Sequence, residues 1–155
     1  MMIEPMPRRS FDTENLTLQV QKELPGQIKA IPPVVEQIMG IVREMGCAGD
    51  GEFEIEVSLY EALANAVEHG CENDPDKRVE VVVACDPQRG MIIIVRDPGT
   101  GFDPHKVPSP VVGENIYNDS GRGIFLINQL MDEVRFEKNG TEIWMIKAPK
   151  ESSDE

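Results

Sequence analysis

The spacing of apolar residues changes along the chain, and each change marks an element. Leu16, Leu18 and Val20 alternate with polar neighbours, which predicts a strand over 15–24 that Pro25-Gly26 ends. Pro32-Pro33 can open a helix but cannot sit inside one. Val34, Val35, Ile38, Ile41, Val42 and Met45 then repeat at helical spacing, so 33–46 reads as a helix with one apolar face. After Gly49-Asp50-Gly51 a second helix is expected from about Glu52 to His69. Phe53, Val57, Tyr60, Ala64 and Val67 fall on one side as its apolar face, flanked by Leu59 and Leu63. Gly70 is placed to end that helix in a left-handed conformation.

Beyond the polar stretch 72–77, Val79, Val81 and Val83 are strand-like. A turn at 86–90 and the apolar run Met91 to Val95 complete a predicted hairpin over 79–96. No period is visible from Gly99 to Ser120, and a loop that long in a compact domain is usually functional. Gly123 to Met131 has the pattern of a short amphipathic helix. A second hairpin joins Val134–Lys138 to Thr141–Ala148 through Asn139-Gly140, the dipeptide most typical of a tight β-turn. The order β-α-α-β-β-loop-α-β-β predicts an α+β fold: a two-layer sandwich whose mixed or largely antiparallel sheet is covered on one face by helices. The pattern does not give the strand order. One domain is expected over 15–148, with a loose arm at 1–14 and a disordered tail at 149–155.

Composition narrows the class. The chain has 155 residues, enough for one domain with a proper core, and 40% of them are hydrophobic. No apolar run approaches the roughly 20 residues of a membrane helix. The first residues lack the apolar stretch of a secretory signal, so a cytoplasmic protein without membrane contact is expected. Fifteen Lys and Arg against 28 Asp and Glu give a formal charge of −13. That field repels nucleic acid and favours a basic or neutral protein partner. Cys47, Cys71 and Cys85 form no Cys-x-x-Cys and have no paired histidines nearby. Buried thiols in a reducing cell are expected, with Cys71, just past the second helix, the one placed for partial exposure.

Three segments carry candidate chemistry. On the second helix, Glu61, Asn65 and His69 stand at i, i+4 and i+8 and share one stripe, with Glu68 beside it. Asn65 offers a neutral oxygen suited to Mg²⁺ alongside phosphates and water. Glu61 offers a carboxylate able to orient or deprotonate a nucleophile. For His69, a contact to phosphate and a contact to the last helix carbonyls are both open. The second segment, Asp97-Pro98-Gly99-Thr100-Gly101-Phe102, follows a buried strand. There Asp97 can accept a hydrogen bond from the exocyclic amine of adenine, and Gly99 and Gly101 let the backbone approach base and ribose without a Cβ. The third, Ser120-Gly121-Arg122-Gly123-Ile124, opens a helix whose N–H groups at Gly121 and Gly123 make a phosphate cradle. Arg122 either adds charge to that cradle or faces solvent. The segment is neither a Walker loop nor a dinucleotide fingerprint.

In this order and context, the three segments resemble the GHKL ATPases, the superfamily of gyrase, heat-shock chaperone and histidine-kinase ATP domains. The similarity covers about residues 15–148. Ser120-Gly121-Arg122-Gly123-Ile124-Phe125-Leu126-Ile127, followed by Leu130-Met131-Asp132-Glu133-Val134, is most like the bacterial anti-sigma-factor serine kinases. The resemblance implies the layered GHKL fold with Asn65 as the metal ligand, Glu61 as the base and Asp97 as the adenine-reading aspartate. It also implies an adenine contact at Thr141 and an ATP lid over about 103–120. ATP and Mg²⁺ are the implied cofactors. The implied partners are a sigma factor, an anti-anti-sigma protein of the STAS type, and a second copy of the chain in a homodimer. No helical hairpin bears a phospho-acceptor histidine, and no second domain of the gyrase or chaperone kind is visible. The expected function is an anti-sigma factor that phosphorylates a serine of its antagonist. A nucleotide-dependent module that sequesters a partner without phosphotransfer is the alternative.

Overall fold

The computed structural model describes residues 18–46, 48–86, 90–99 and 119–148. The arm at 1–14, the lid as far as residue 118, Gly101 and the tail from 149 lie outside them. In chain order the elements are β1 (Leu18–Pro25), α1 (Ile31–Met45), α2 (Glu52–Asn65), β2 (Arg78–Asp86), β3 (Gly90–Arg96), α3 (Asp119–Leu130), β4 (Glu133–Glu137) and β5 (Glu142–Lys147). The five strands form one sheet in the order β1-β2-β3-β5-β4, and every pairing among them is antiparallel. Both expected hairpins are present. The second is joined not by the expected two-residue Asn-Gly turn but by four residues between the paired Glu137 and Glu142, with Lys138, Asn139 and Gly140 all at positive φ. The α+β sandwich is therefore the fold, at the antiparallel end of the expected range.

Alternation in the strands sorts side chains to two faces. Val81, Val83, Met91, Ile93, Val95, Ile143 and Met145 point to the helix layer and join the main core. At complete burial each large side chain there contributes about 1.5–3 kcal/mol relative to exposure. The opposite face carries a second, smaller cluster of Ala84, Ile92, Ile94, Trp144 and Ile146. Beside it Arg96 bridges β2 and β5, pairing with Glu80 at 3.1 Å and with Glu142. Glu142 in turn accepts a hydrogen bond from the Trp144 indole N–H at 2.9 Å. This fixes the C-terminal end of β3, the residue before Asp97.

In α1, two prolines sit in the first turn, and Gly46 closes the helix at φ 70° with its N–H on the Val42 carbonyl. The second helix departs from expectation in two ways. Its core face is Ile55, Ser58, Leu59, Ala62 and Leu63. Phe53 is 69% exposed and Tyr60 37%. The helix carries two apolar stripes, and the sheet and α1 take the aliphatic one whose short side chains allow close packing. Of the expected side, Val67, in the turn that follows, and the flanking Leu59 and Leu63 are fully buried. That turn is the second departure. Residues Ala66–Gly70 widen into a π-helix, with the Cys71 N–H bonded to the Ala66 carbonyl at 2.8 Å. Positive φ beyond it falls on Glu72 and Asn73, at 56° and 60°, and not on Gly70. The third helix begins at Asp119, four residues before the periodicity suggested, because apolar spacing cannot register a polar first turn.

The cysteines also differ from expectation. Cys85 is disulfide-bonded, a pairing that the spacing of cysteines along a chain cannot reveal. Cys71 is free but fully buried, so it lacks the partial exposure expected of it. Burial, and then the nearby Asp97 charge, push its thiol pKa up.

Candidate functional site

The polar row of α2 faces α3 across a cleft of about 230 Å³ lined by Glu61, Ala64, Asn65, Glu68, Arg122 and Leu126. Glu61, Asn65 and Glu68 come from α2 and its π turn, spaced so that one helix face presents all three. Arg122 and Leu126, one helical turn apart, come from α3. Two carboxylates, an amide and a guanidinium thus meet in one concave site. Its lining is mainly polar.

The two helices approach closely because α3 carries a glycine at the contact. A Cβ on Gly123 would lie 2.8 Å from Oε1 of Glu61. In a helix starting at Asp119, the N–H of Gly123 lies past the first free donors. Gly121 stands in the first turn among them. Gly123 instead clears room for the Glu61 side chain.

Asp97 lies where β3 ends, half-buried. Its carboxylate accepts the Gly99 N–H at 2.8 Å, and its own N–H donates to the Thr141 carbonyl at 2.9 Å. Burial pushes its pKa up from the ordinary aspartate value, and the Gly99 N–H offsets part of the rise. The end of the π turn packs directly on it. A Cβ on Gly70 would fall 2.2 Å from Cγ of Asp97, and one on Gly99 would fall 2.8 Å from the Gly70 carbonyl oxygen. Three backbone segments therefore converge at one aspartate with no room for another side chain.

Most predicted positions are brought together in this way. Glu61, Asn65 and Arg122 share the cleft, with Gly123 against Glu61. Asp97 and Gly99 meet the far end of the same helix. Thr141 stands beside Asp97 through the backbone, while its hydroxyl donates to the Lys138 carbonyl at 2.9 Å. His69 is exposed on the π turn and is not among the cleft-lining residues. Sequence reasoning missed Ala64 and Leu126 as lining residues, because apolar side chains in helices read as core. It also missed Gly70, which the pattern presents as a cap. No cluster of three or more His, Cys, Asp or Glu side chains able to hold a metal occurs among the described residues. No helix among them is long and apolar enough to cross a membrane.

The family model for the histidine kinase-like ATPase domain matches residues 24–147. A protein named Serine-protein kinase RsbW, from Bacillus licheniformis, is 32% identical over 117 residues, covering 71% of this chain and 72% of the relative. The protein of that name from Bacillus subtilis (strain 168) is 27% identical over 138 residues, covering 83% and 84%. The one from Bacillus thuringiensis (strain Al Hakam) is 25% identical over 126 residues, covering 76% of each. The matched span runs from the end of β1 to the end of β5 and so contains the cleft, the Asp97 turn and both hairpins. On that match, this chain belongs to the histidine kinase-like ATPase domain family.

Proposed function

We propose that the chain is a protein-serine kinase that binds Mg-ATP in the α2–α3 cleft and acts as an anti-sigma factor. The serine it phosphorylates belongs to a STAS-type anti-anti-sigma partner. The observation that carries this reading is the meeting of Glu61, Asn65 and Arg122 in one cleft. Relatives named serine-protein kinase over most of their length support it.

The residues fit the cofactor. Asn65 would hold Mg²⁺ through its amide oxygen, the remaining positions going to phosphate and water. Arg122 and the first turn of α3, with Gly121, would hold the phosphates. The glycine-cleared seat of Asp97 is a cradle that a Cβ would fill, and its carboxylate would take the exocyclic amine of adenine, with Thr141 beside it. Bound Mg-ATP supplies the transferable phosphoryl group. Glu61 accepts the proton of the incoming serine hydroxyl as that oxygen becomes the nucleophile. Gly123 keeps its carboxylate within the cleft. Sequestration of sigma needs only a surface, so it separates from the chemistry. The protein works in the cytoplasm as a homodimer.

Labelled ATP incubated with the STAS-domain proteins encoded beside this one tests the reading. Serine phosphorylation that requires Mg²⁺ and is not supported by GTP is expected. Equal use of GTP removes the Asp97 assignment, and indifference to Mg²⁺ removes that of Asn65. Tight nucleotide binding with no phosphate transferred to any of these proteins points instead to a sequestering module. Light scattering at micromolar concentration checks the dimer against a 17.3 kDa particle.

A further inference from the structure

Phe53, Val57, Tyr60 and Ala64 stand at i, i+4, i+7 and i+11 and so form one stripe along α2, exposed at Phe53 and Tyr60 and packed against the edge of the core at Ala64. Phe53 at 69% and Tyr60 at 37% are two of the four large hydrophobic residues exposed among the described residues. A third, Leu126, also 37% exposed, lines the cleft on α3. Ala64 belongs to both the stripe and the cleft. The stripe is therefore a track about 16 Å long, at 1.5 Å per residue, that ends in the site where phosphate would be transferred. Glu56 and Glu68 are exposed on its flanks, and Glu61 borders it at the cleft.

We infer that this stripe is the docking surface for the phosphate-accepting protein. The inference rests on the kinase reading above and adds where the acceptor binds. A serine on a folded partner must enter the cleft while the rest of the partner lies against the surface leading there. Among the described residues, the only such surface with exposed aromatic side chains is the Phe53–Tyr60 stripe. Aromatic anchors within a polar rim are the usual composition of a protein-binding patch. The acidic flank sets the partner's chemistry: an apolar patch beside the acceptor serine, bordered by Lys or Arg. A second copy of this chain fits less well at this stripe, because a contact between two copies there would bring their exposed Glu56 and Glu68 flanks together.

The test uses the full chain, Mg-ATP and the purified STAS-domain protein that the parent phosphorylates. Phe53→Ser with Tyr60→Ser removes the anchors without opening the core, and Glu56→Lys reverses the rim. Both variants should bind ATP within two-fold of the parent by calorimetry. For the double variant, KM for the protein acceptor should rise at least ten-fold with kcat at saturation retained. Glu56→Lys should raise KM several-fold and flatten its dependence on salt. An unchanged KM in the double variant, beside an active parent, overturns the inference and leaves the kinase reading intact. Conversion of a dimeric parent to a monomeric double variant in light scattering also overturns it, by making the stripe the contact between copies. If the parent neither phosphorylates nor binds any STAS-domain protein, the kinase reading fails and takes this inference with it.

Discussion

The α-carbon of Gly70 faces the Asp97 carboxyl so closely that a methyl group added there would lie 2.2 Å from Asp97 Cγ and 2.5 Å from its Cβ. The π turn at the end of α2 and the turn after β3 are thereby locked together. The contact ties the helix bearing Glu61 and Asn65 to the aspartate that we propose reads adenine.

Gly70→Ala is expected to damage both stability and nucleotide selection. The clash reaches Cβ of Asp97, near the backbone, so no flexible chain end can move aside. Overpacking of this kind costs about 1–3 kcal/mol. ATP affinity should fall while any residual preference for ATP over inosine triphosphate, which lacks the exocyclic amine, shrinks. Thermal melting and calorimetry with the two nucleotides measure these effects. A variant with the parent's melting temperature and selectivity would show that the two segments move apart freely.

Gly123→Ala should behave differently, because its added methyl meets only the far end of the Glu61 side chain, at 2.8 Å. The helix should form and ATP should still bind, since alanine suits a helix better than glycine. The carboxylate must shift, and misplacement of a reacting group by about 1 Å can cost on the order of 10²-fold in rate. Phosphotransfer should drop accordingly with melting unchanged or raised. Steady-state kinetics beside a melting curve decides the point.

Glu61→Ala and Asn65→Ala should separate chemistry from binding. The first should keep ATP affinity within a few-fold and lower phosphotransfer by roughly 10²–10⁴, the range for loss of a general base. The second should weaken Mg-ATP binding itself. Sequestration of the sigma factor should survive Glu61→Ala. Transfer at the parent rate by the Glu61 variant would remove that residue from the mechanism.

The raised pKa of Asp97 gives a pH dependence with a definite sign. Burial favours the protonated carboxyl in the folded chain, so the folded state binds this proton more readily than the unfolded one. By linkage, the group opposes folding once ionised, and the penalty is relieved as pH falls from the raised folded value toward the ordinary aspartate value. ATP affinity should move the other way, because adenine's amine needs the ionised acceptor. Affinity should start to fall at a higher pH than an ordinary aspartate would produce. Asp97→Asn should abolish that dependence and melt no lower than the parent near neutral pH. Calorimetric titrations across the acid range, with melts of both proteins, test it.

Much was legible in the sequence because it depends on local spacing. The alternation of Val79, Val81 and Val83, the Asn139-Gly140 pair and the Pro32-Pro33 helix start act over a few residues, and each element forms within a residue or two of where they place it. The same holds for Glu61 and Asn65, whose shared face follows from the helical repeat. Strand order was beyond reach, since β5 inserts between β3 and β4 and nothing local to Glu142–Lys147 records that neighbour. The apolar face of α2 was misread for a related reason. Phe53–Tyr60 and Ile55–Leu63 are both helical stripes, and only the packing of sheet and α1 chooses between them. Gly70 is the sharpest case. As sequence it is a glycine after a helix, indistinguishable from a cap. Its role is set by Asp97, 27 positions later, because steric exclusion acts between atoms close in space whatever their separation along the chain.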